Sequence, residues 1–366
     1  MSQTQPILLC AGGTGGHLFP AQALAVELIS RGCIVELVTD ERALKYGAHF
    51  PARAIHSVRA ATPTGGSALS KMAAAFALLA GSVQAFFLLR AIKPACVIGF
   101  GGYPTVPPLL AASLLHAPTI LHEQNAVMGR ANRFLAGRVN RVATGFAILK
   151  GVSGNVRAIS VHVGNPVRPS VIEASAQPYR DFHEGRLRIL VTGGSQGARV
   201  MSDVIPAALE LLSLDLLSRI DLVQQARGED EARVRAVYER LEVKAQVASF
   251  FADLPQKIAD AHLVIARAGA STVSELAVIG RPSILVPFPF ALDQDQAANA
   301  EQLAQSGAAM VISQDDFTPR RLALEIEAAF ADPARLSARA ASAKAAGLAD
   351  AASRLADLVM ATIRQA

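Results

Sequence analysis

The chain contains no tryptophan and only three cysteines, Cys10, Cys33 and Cys96. The cysteines are scattered and form neither a zinc-binding spacing nor a disulfide framework, so we expect reduced thiols. Charged residues make up only 18% of the sequence and hydrophobic residues 51%, which excludes a disordered chain. The polar residues 1–6 lead directly into an apolar run, so we expect no secretory signal.

Acidic residues are scarce in the first half of the chain. Residues 1–164 hold 14 Lys and Arg against 5 Asp and Glu, a net charge of +9, whereas residues 165–366 hold 21 against 25, a net charge of −4. A basic first half predicts an anionic partner for that half alone, such as nucleic acid or a membrane surface. An asymmetry without functional meaning is the alternative.

Two glycine-rich turns each follow an apolar run and precede a helical pattern. The first spans Gly12–His17 and the second Gly193–Ala198. A strand, a glycine turn and a helix start together form an anion site, because backbone N–H groups and the positive end of the helix dipole meet there. Two such turns predict two nucleotide-binding domains that face each other across a cleft.

Strand and helix patterns alternate through both halves, which predicts the α/β class with two doubly wound, Rossmann-like domains. Residues 163–169 end a strand with Gly and Pro and are predicted to join a domain of residues 1–164 to one of residues 165–366. A helix is predicted over 198–213. The last, Ala-rich helix is expected to be able to pack back on the first domain.

The first glycine turn lacks the lysine of a Walker A loop. It carries half of a dinucleotide fingerprint, with Leu18 in place of the third glycine, and Asp40 stands where such enzymes bind ribose. An NAD(P)-dependent oxidoreductase is therefore an alternative. His17 begins the following helix, whose N-terminus disfavours the charged imidazolium and would keep the ring available as a base. An incidental loop histidine is the other interpretation.

Further polar or glycine-rich segments follow predicted strands at Gly99–Thr105 and His122–Asn125. The carboxyl ends of parallel strands share one edge of a sheet, where ligands bind, so both segments are expected near His17. Glu123 and Asn125 would suit the hydroxyl groups of a sugar. A tight strand–helix connection is the alternative for the glycine turn.

In the second half, Thr272 and Glu275 have the spacing of a capping box, which needs no ligand. The alternative places this helix start on a phosphate and Glu275 on a ribose. Amides in residues 293–299 could bind sugar hydroxyls. No carboxylate pair or histidine cluster indicates a required metal ion.

Residues 72–89 contain no charged side chain and approach the length of a membrane span. A buried crossover helix and a helix with one lipid-facing side are the alternatives to a true span, and the alternating strand–helix series favours them. A membrane scaffold without catalysis would explain this helix and the basic half, but not the glycine turns.

Six motifs taken together resemble those of the MurG family of bacterial cell-wall glycosyltransferases. They occur in family order: Gly-Gly-Thr-Gly-Gly-His (12–17), Gly-Phe-Gly-Gly-Tyr-Pro (99–104), His-Glu-Gln-Asn (122–125), Val-Gly-Asn-Pro-Val-Arg (163–168), Gly-Gly-Ser-Gln-Gly-Ala (193–198) and Thr-Val-Ser-Glu (272–275). The resemblance implies the two-domain GT-B fold and an inverting transferase that needs neither metal nor cofactor. It would transfer N-acetylglucosamine from UDP-N-acetylglucosamine to lipid I, an undecaprenyl-pyrophosphoryl-N-acetylmuramyl-pentapeptide, giving lipid II for peptidoglycan.

The resemblance also implies a location and partners. The protein would bind the anionic cytoplasmic face of the inner membrane as a peripheral protein, would not bind nucleic acid, and could meet proteins of cell-wall synthesis and division. The first domain would take the acceptor and the second the donor.

The same resemblance assigns residues to roles, with His17 as the catalytic base. The donor-binding positions are Thr14, Gly15, Gly16, Asn125, Arg168, Ser195, Gln196, Gly197, Phe251, Ala270, Ser271, Thr272, Glu275 and Gln296. Phe251 would meet uracil, Glu275 the ribose, the Ser195 loop the diphosphate and Gln296 the sugar. The acceptor and membrane positions are Gly101, Gly102, Tyr103, Lys71, Phe76, Phe86, Phe87, Arg90 and Lys93. Phenylalanines would be the membrane anchors, because the chain lacks tryptophan.

Overall fold

The structure, a computed structural model, describes residues 5–12, 15–40, 50–60, 68–182, 185–194, 197–291 and 293–365. The chain forms two compact units. The first comprises the chain up to Arg168 together with the residues from Ala349 onward, and the second is Pro169–Leu348. Each unit is built on a parallel sheet, so the predicted α/β class with two doubly wound domains is confirmed.

The first unit has a seven-stranded sheet in the order β3-β2-β1-β4-β5-β6-β7. Its strands are β1 (Ile7–Cys10), β2 (Val35–Thr39), β3 (Ala54–Ser57), β4 (Cys96–Gly99), β5 (Thr119–Glu123), β6 (Arg141–Thr144) and β7 (Ser160–His162). Its helices are α1 (Gly15–Ser30), α2 (Ala68–Ile92), α3 (Val106–Leu114), α4 (Arg130–Leu135), α5 (Gly154–Ala158) and, at the end of the chain, α15 (Ala351–Gln365).

Helices cover both faces of this sheet because every residue of the central strand β1 is apolar. Ile7 and Leu9 belong to the core that includes α1 and α15, whereas Leu8 and Cys10 belong to the core that includes α2, α3 and α4. All four side chains are buried. Continuous apolar runs of this kind are typical of parallel strands that are buried on both sides.

The C-terminal helix α15 packs on α1. Its Leu355, Ala356 and Val359 are fully buried in the core that contains β1. Arg31, just after α1, donates through Nη1 to Oδ1 of Asp357 at 2.6 Å. The last helix of the chain therefore supports the first.

The second unit has a six-stranded sheet in the order β10-β9-β8-β11-β12-β13. Its strands are β8 (Leu187–Thr192), β9 (Ile220–Gln225), β10 (Lys244–Ala248), β11 (Leu263–Ala266), β12 (Ser283–Leu285) and β13 (Ala309–Val311). Its helices are α6 (Pro169–Ala174), α7 (Arg199–Leu209), α8 (Leu214–Ser218), α9 (Gly228–Arg240), α10 (Leu254–Asp260), α11 (Ala270–Ile279), α12 (Asp295–Gln305), α13 (Pro319–Ala331) and α14 (Pro333–Ala346).

Strand order reverses between β1 and β4 in the first sheet and between β8 and β11 in the second. A crevice forms at such a switch point, outside the carboxyl ends of the strands, and ligands bind there. The loops beside these crevices begin at Ala11, Phe100, Gly193 and Arg267. Each sheet therefore directs glycine-rich loops and a helix start toward its own switch point.

The structure departs from the sequence predictions in three local features. Strand β3 was not predicted, and the helix predicted over 198–213 ends at Leu209 before the short helix α8. The predicted joining segment belongs largely to the first unit, because residues 163–167 are buried and Asn165 donates through Nδ2 to the carbonyl of Gln124 at 2.9 Å.

Candidate active site

His17 lies in the first turn of α1, which begins at Gly15 and Gly16. Its ring donates a hydrogen bond to the backbone carbonyl of Gly12, and burial lowers its pKa below the ordinary value of 6.5. The helix N-terminus acts in the same direction, since it disfavours a further positive charge. The imidazole is therefore neutral at pH 7, the protonation state that a general base requires. Thr14 lies outside the described residues.

The turn after β4 packs directly on this ring. Gly101 and Gly102 have φ angles of +88° and +77°, which glycine adopts readily. A Cβ at Gly101 would lie 3.2 Å from Cδ2 of His17 and 3.3 Å from Oδ1 of Asn132. Tyr103 follows, half-buried in a 3-10 turn. The structure thus places the two predicted acceptor glycines in contact with the predicted base.

His122 and Gln124 tie the loops at this edge together. His122 bonds through Nε2 to the carbonyl of Gly164 at 3.1 Å, and burial lowers its pKa to about 4. Gln124 donates through Nε2 to the carbonyl of Phe100 at 2.7 Å. Both side chains are buried, and Gln124 thereby holds in place Phe100, the residue before Gly101.

Glu123 binds the protein's own N–H groups, contrary to the expectation that it would suit sugar hydroxyls. Its side chain is buried and accepts from the backbone N–H of Asn125 at 2.9 Å and of Gly129 at 3.0 Å, and from Nδ2 of Asn132 at 2.7 Å. Burial raises its pKa, and these donors oppose that shift. Glu123 therefore shapes the turn that carries Asn125.

Arg168 follows the buried segment 163–167 and lies against the first turns of α1. Its guanidinium carbon is 4.7 Å from the ring centre of Phe19, two residues beyond His17. Asn125 is half-buried at the end of β5. The first unit therefore holds His17, Asn125 and Arg168 at one edge of its sheet.

The second glycine loop needs glycine at its start for lack of space. A Cβ at Gly193 would lie 2.2 Å from the backbone nitrogen of Ala198, an impossible contact. Gly194 and Gly197 have φ angles of +84° and +69°. The N–H groups of Gly193, Gly194 and Gly197 bind Gln225, Thr192 and the Gly194 carbonyl within the protein, which fixes the shape of the loop. Ser195 and Gln196 lie outside the described residues.

Helix α11 begins at Ala270, with Gly269 as its N-cap and no side-chain cap. The capping box expected from Thr272 and Glu275 is wrong, because Thr272 already lies in the first turn. Ala270, Ser271 and Thr272 are half-buried, and Glu275 is 7% exposed. Because Gly269 has no side chain to cap the N–H groups of this first turn, the helix start is suited to an anion.

The side chain of Gln296 holds two loops of the second unit together by hydrogen bonds. Its Oε1 accepts from the backbone N–H of Phe288 at 3.0 Å and of Ala268 at 3.3 Å. Arg267, just after β11, donates through Nη1 to the carbonyls of Val286 and Pro287, each at 3.0 Å. The segment after β12 is therefore held against the segment after β11.

Phe251 is buried near the end of β10, and Nζ of Lys257 lies 5.0 Å from the centre of its ring. The neighbouring Phe250 is 74% exposed. Sequence reasoning did not single out Phe250, Arg267 or Asn132. The rule that drew attention to His122, a polar side chain at a buried strand's end, could have found Arg267.

Helix α2 presents an apolar stripe to the surroundings of the first unit. Met72, Phe76, Leu79, Val83 and Phe87 are all more than half exposed and recur at helical spacing. Phe86 is half-buried beside Phe87, and Arg90 and Lys93 are exposed at the helix end. The side chain of Lys71 lies outside the described part of the chain.

The opposite face of α2 is bound to its own unit. Gly81 is packed so closely that a Cβ there would lie 2.0 Å from the carbonyl oxygen of Arg59. Gln84 donates through Nε2 to the carbonyl of Ser57 at 2.9 Å. Within the described residues, Met72–Ile92 is the one helix stretch long and apolar enough to cross a membrane, a finding of length and composition alone.

Comparison with known proteins gives the same family for both units. The glycosyltransferase family 28 N-terminal domain matches residues 7–144, and the C-terminal domain of that family matches residues 188–355. A solved structure of MurG from Acinetobacter baumannii is 30% identical, with a TM-score of 0.78, and the match covers 98% of this chain and 99% of that one.

Two curated relatives are similar over the full length. The protein from Nitrobacter hamburgensis is 54% identical and that from Methylobacterium nodulans 56%; in both, 100% of this chain and 99% of the relative are covered. Both are named UDP-N-acetylglucosamine–N-acetylmuramyl-(pentapeptide) pyrophosphoryl-undecaprenol N-acetylglucosamine transferase. The chain belongs to glycosyltransferase family 28 and, within it, to the MurG family.

Proposed function

We propose that this protein transfers N-acetylglucosamine from UDP-N-acetylglucosamine to the C4 hydroxyl of the N-acetylmuramic acid in lipid I, with inversion, giving the β-1,4 link of lipid II. The full-length identity to transferases of that name carries this proposal. The neutral His17 beside Gly101 and Gly102 supports it, because the acceptor hydroxyl needs a base.

In the proposed reaction the lone-pair nitrogen of His17 takes the proton of the C4 hydroxyl. The hydroxyl oxygen attacks C1 of the donor sugar from the side opposite UDP, and the C1–O bond to UDP breaks. Inversion follows from this direction of attack. Because His17 donates its N–H to the Gly12 carbonyl, its tautomer is fixed before the substrate arrives.

The leaving UDP carries away the bonding electrons, so its negative charge must be stabilised. We assign this role to the Gly193–Ala198 loop and to the start of α11, whose N-cap Gly269 has no side chain to occupy the first-turn N–H groups. Glu275 would bind the ribose and the backbone at Phe251 the uracil. With Oε1 of Gln296 engaged by two backbone N–H groups, its Nε2 is the atom that would meet the sugar.

To reach its lipid-linked acceptor, we propose that the protein binds an anionic membrane as a peripheral protein, with the exposed stripe of α2 in the lipid interface. Phe76 is 67% and Phe87 66% exposed, which is unusual for large apolar side chains on one helix face. The bonds of Gln84 and the packing of Gly81 argue against a span, since a crossing would break them. The net charge of +9 over residues 1–164 adds attraction to anionic headgroups.

A transfer assay tests the function. Purified protein is given labelled UDP-N-acetylglucosamine and a lipid I analogue, and the product is identified as a β-1,4 disaccharide. Release of UDP only in the presence of acceptor, with the inverted anomer, is the expected result. The proposal fails if NAD(P)H, and not UDP or its sugar, raises the melting temperature of the protein.

A further inference from the structure

Gln225, the last residue of β9, lies between two parts of the second unit that the proposed donor site uses separately. Its side chain is 6% exposed. Oε1 accepts from Oγ1 of Thr192 at 2.9 Å and from the backbone N–H of Gly193 at 3.1 Å. Nε2 donates to the carbonyl of Ser249 at 3.2 Å. The carbonyl oxygen of this amide thus binds the start of the glycine loop, and its nitrogen binds the residue just after β10.

Gly193 and Ser249 each stand at the start of one of these two segments. Gly193 begins the glycine loop, whose shape also depends on Thr192, since Oγ1 of Thr192 accepts from the N–H of Gly194 at 3.4 Å. Ser249 directly precedes Phe250 and Phe251. One buried amide therefore joins the loop assigned to the diphosphate with the segment assigned to uracil.

We propose that Gln225 is a positioning residue that fixes the distance between the diphosphate subsite and the uracil subsite, so that UDP binds both at once. This inference rests on the proposed UDP site. Removing the amide would leave a hydroxyl, an N–H and a carbonyl without their partner, and each segment could relax separately. Ligands that occupy one segment alone would hardly sense the change, whereas a ligand that spans both would.

The test measures the affinity of three probes, UDP, uridine and inorganic pyrophosphate, by calorimetry or NMR. Gln225→Met keeps the length of the side chain and removes its hydrogen bonds. We expect UDP to bind about tenfold more weakly, the equivalent of one lost buried hydrogen-bond group, while uridine and pyrophosphate change less than about twofold.

Gln224→Met is a matched control on the same strand. Gln224 is fully buried, donates through Nε2 to the carbonyl of Met201 at 3.4 Å and accepts from the hydroxyl of Tyr238. Its loss should lower the melting temperature as much as Gln225→Met does, but should leave UDP affinity unchanged. A merely structural role for Gln225 would make the two variants behave alike.

Thr192→Val supplies a second variant that keeps the side-chain volume. If Thr192 and Gln225 act as one unit, the double variant Thr192→Val with Gln225→Met binds UDP no more weakly than Gln225→Met alone. Should Gln225→Met fail to fold, Thr192→Val alone must still weaken UDP and spare uridine.

Wild-type affinity for UDP in Gln225→Met would overturn the inference, as would an equal loss for all three probes or additive losses in the double variant. These outcomes are separate from failure of the proposed function. If the wild-type protein itself shows no preference for UDP over other nucleotides, the proposed function is wrong, whatever the variants show.

Discussion

The imidazole of His17 packs against Gly101, where a Cβ would come within 3.2 Å of Cδ2. A methyl group at this position would push the ring from its place and would also strain a backbone with a φ of +88°. Gly101→Ala should lower kcat by about tenfold or more, since small misplacements of a base are costly, with UDP affinity unchanged.

Gly32→Ala is the control for backbone strain. Gly32 has a φ of +80°, close to that of Gly101, yet a Cβ there would meet nothing within 4 Å. Both variants should lose stability on thermal unfolding, Gly101→Ala by more because its Cβ also crowds His17 and Asn132, and only Gly101→Ala should lose turnover. Equal kcat in the two would show that the contact with His17 is unimportant.

The pH dependence of turnover should report His17. Because burial lowers the pKa of His17, its neutral form persists below pH 6.5, so if His17 is the base the acid limb of kcat should lie below that value. His17→Ala should lower kcat by about 10²–10⁴-fold and remove this limb. If UDP binding collapses while kcat stays normal, His17 is instead a donor ligand.

Glu275 should matter for the nucleotide. Glu275→Gln removes the charge of a carboxylate that is 7% exposed on the first turns of α11, and UDP should bind more weakly by about 1–3 kcal/mol if a ribose hydroxyl is its partner. Calorimetric titration with UDP measures this. Glu229→Gln, at an exposed position in the first turn of α9, is the control. Unchanged affinity in a folded Glu275 variant would refute the ribose assignment.

His122 should make stability depend on pH. Its folded pKa of about 4 lies below the ordinary value of 6.5, so the unfolded chain binds more protons between these values and stability falls as the pH is lowered through this window. Between pH 7 and 4 the loss should approach about 3 kcal/mol. His122→Gln should flatten the slope in urea unfolding, while substitution of the exposed His116 by Asn should not.

The α2 stripe should decide membrane binding. Phe76→Ser with Phe87→Ser should weaken co-sedimentation with anionic vesicles at least about tenfold, since each buried Phe contributes on the order of 1.5 kcal/mol or more. Leu211→Ser with Leu214→Ser, exposed residues of the second unit, should have no effect.

Charge reversal at Lys71, Arg90 and Lys93 should also release the protein from vesicles, most clearly at low salt, and leave UDP binding intact. Vesicle binding that survives both sets of changes would place the membrane contact elsewhere.

Sequence reasoning could predict that the loops holding His17 and Gly101 share an edge, because parallel strands end together. It could also predict α2, because the helical pattern over residues 68–92 matches the observed helix Ala68–Ile92. These features follow from patterns within a short stretch of chain.

Other features depend on partners distant in sequence. From the sequence, Glu123 resembles a ligand-binding carboxylate. In the structure it accepts from N–H groups of Asn125, Gly129 and Asn132, which lie up to nine residues further along the chain. Gln225 has partners in Thr192 and Ser249, which no local pattern connects. The short edge strand β3, with alternating exposed residues, gave too weak a signal to be recognised.

The packing of α15 on α1 has a consequence for synthesis of the protein. The helix that carries His17 rests on Leu355, Ala356 and Val359, which are synthesised after the whole of the second unit. The N-terminal sheet can form early, but its core stays incomplete until the second unit has been translated. A growing chain of which only residues 1–168 have emerged therefore lacks the apolar support beneath α1.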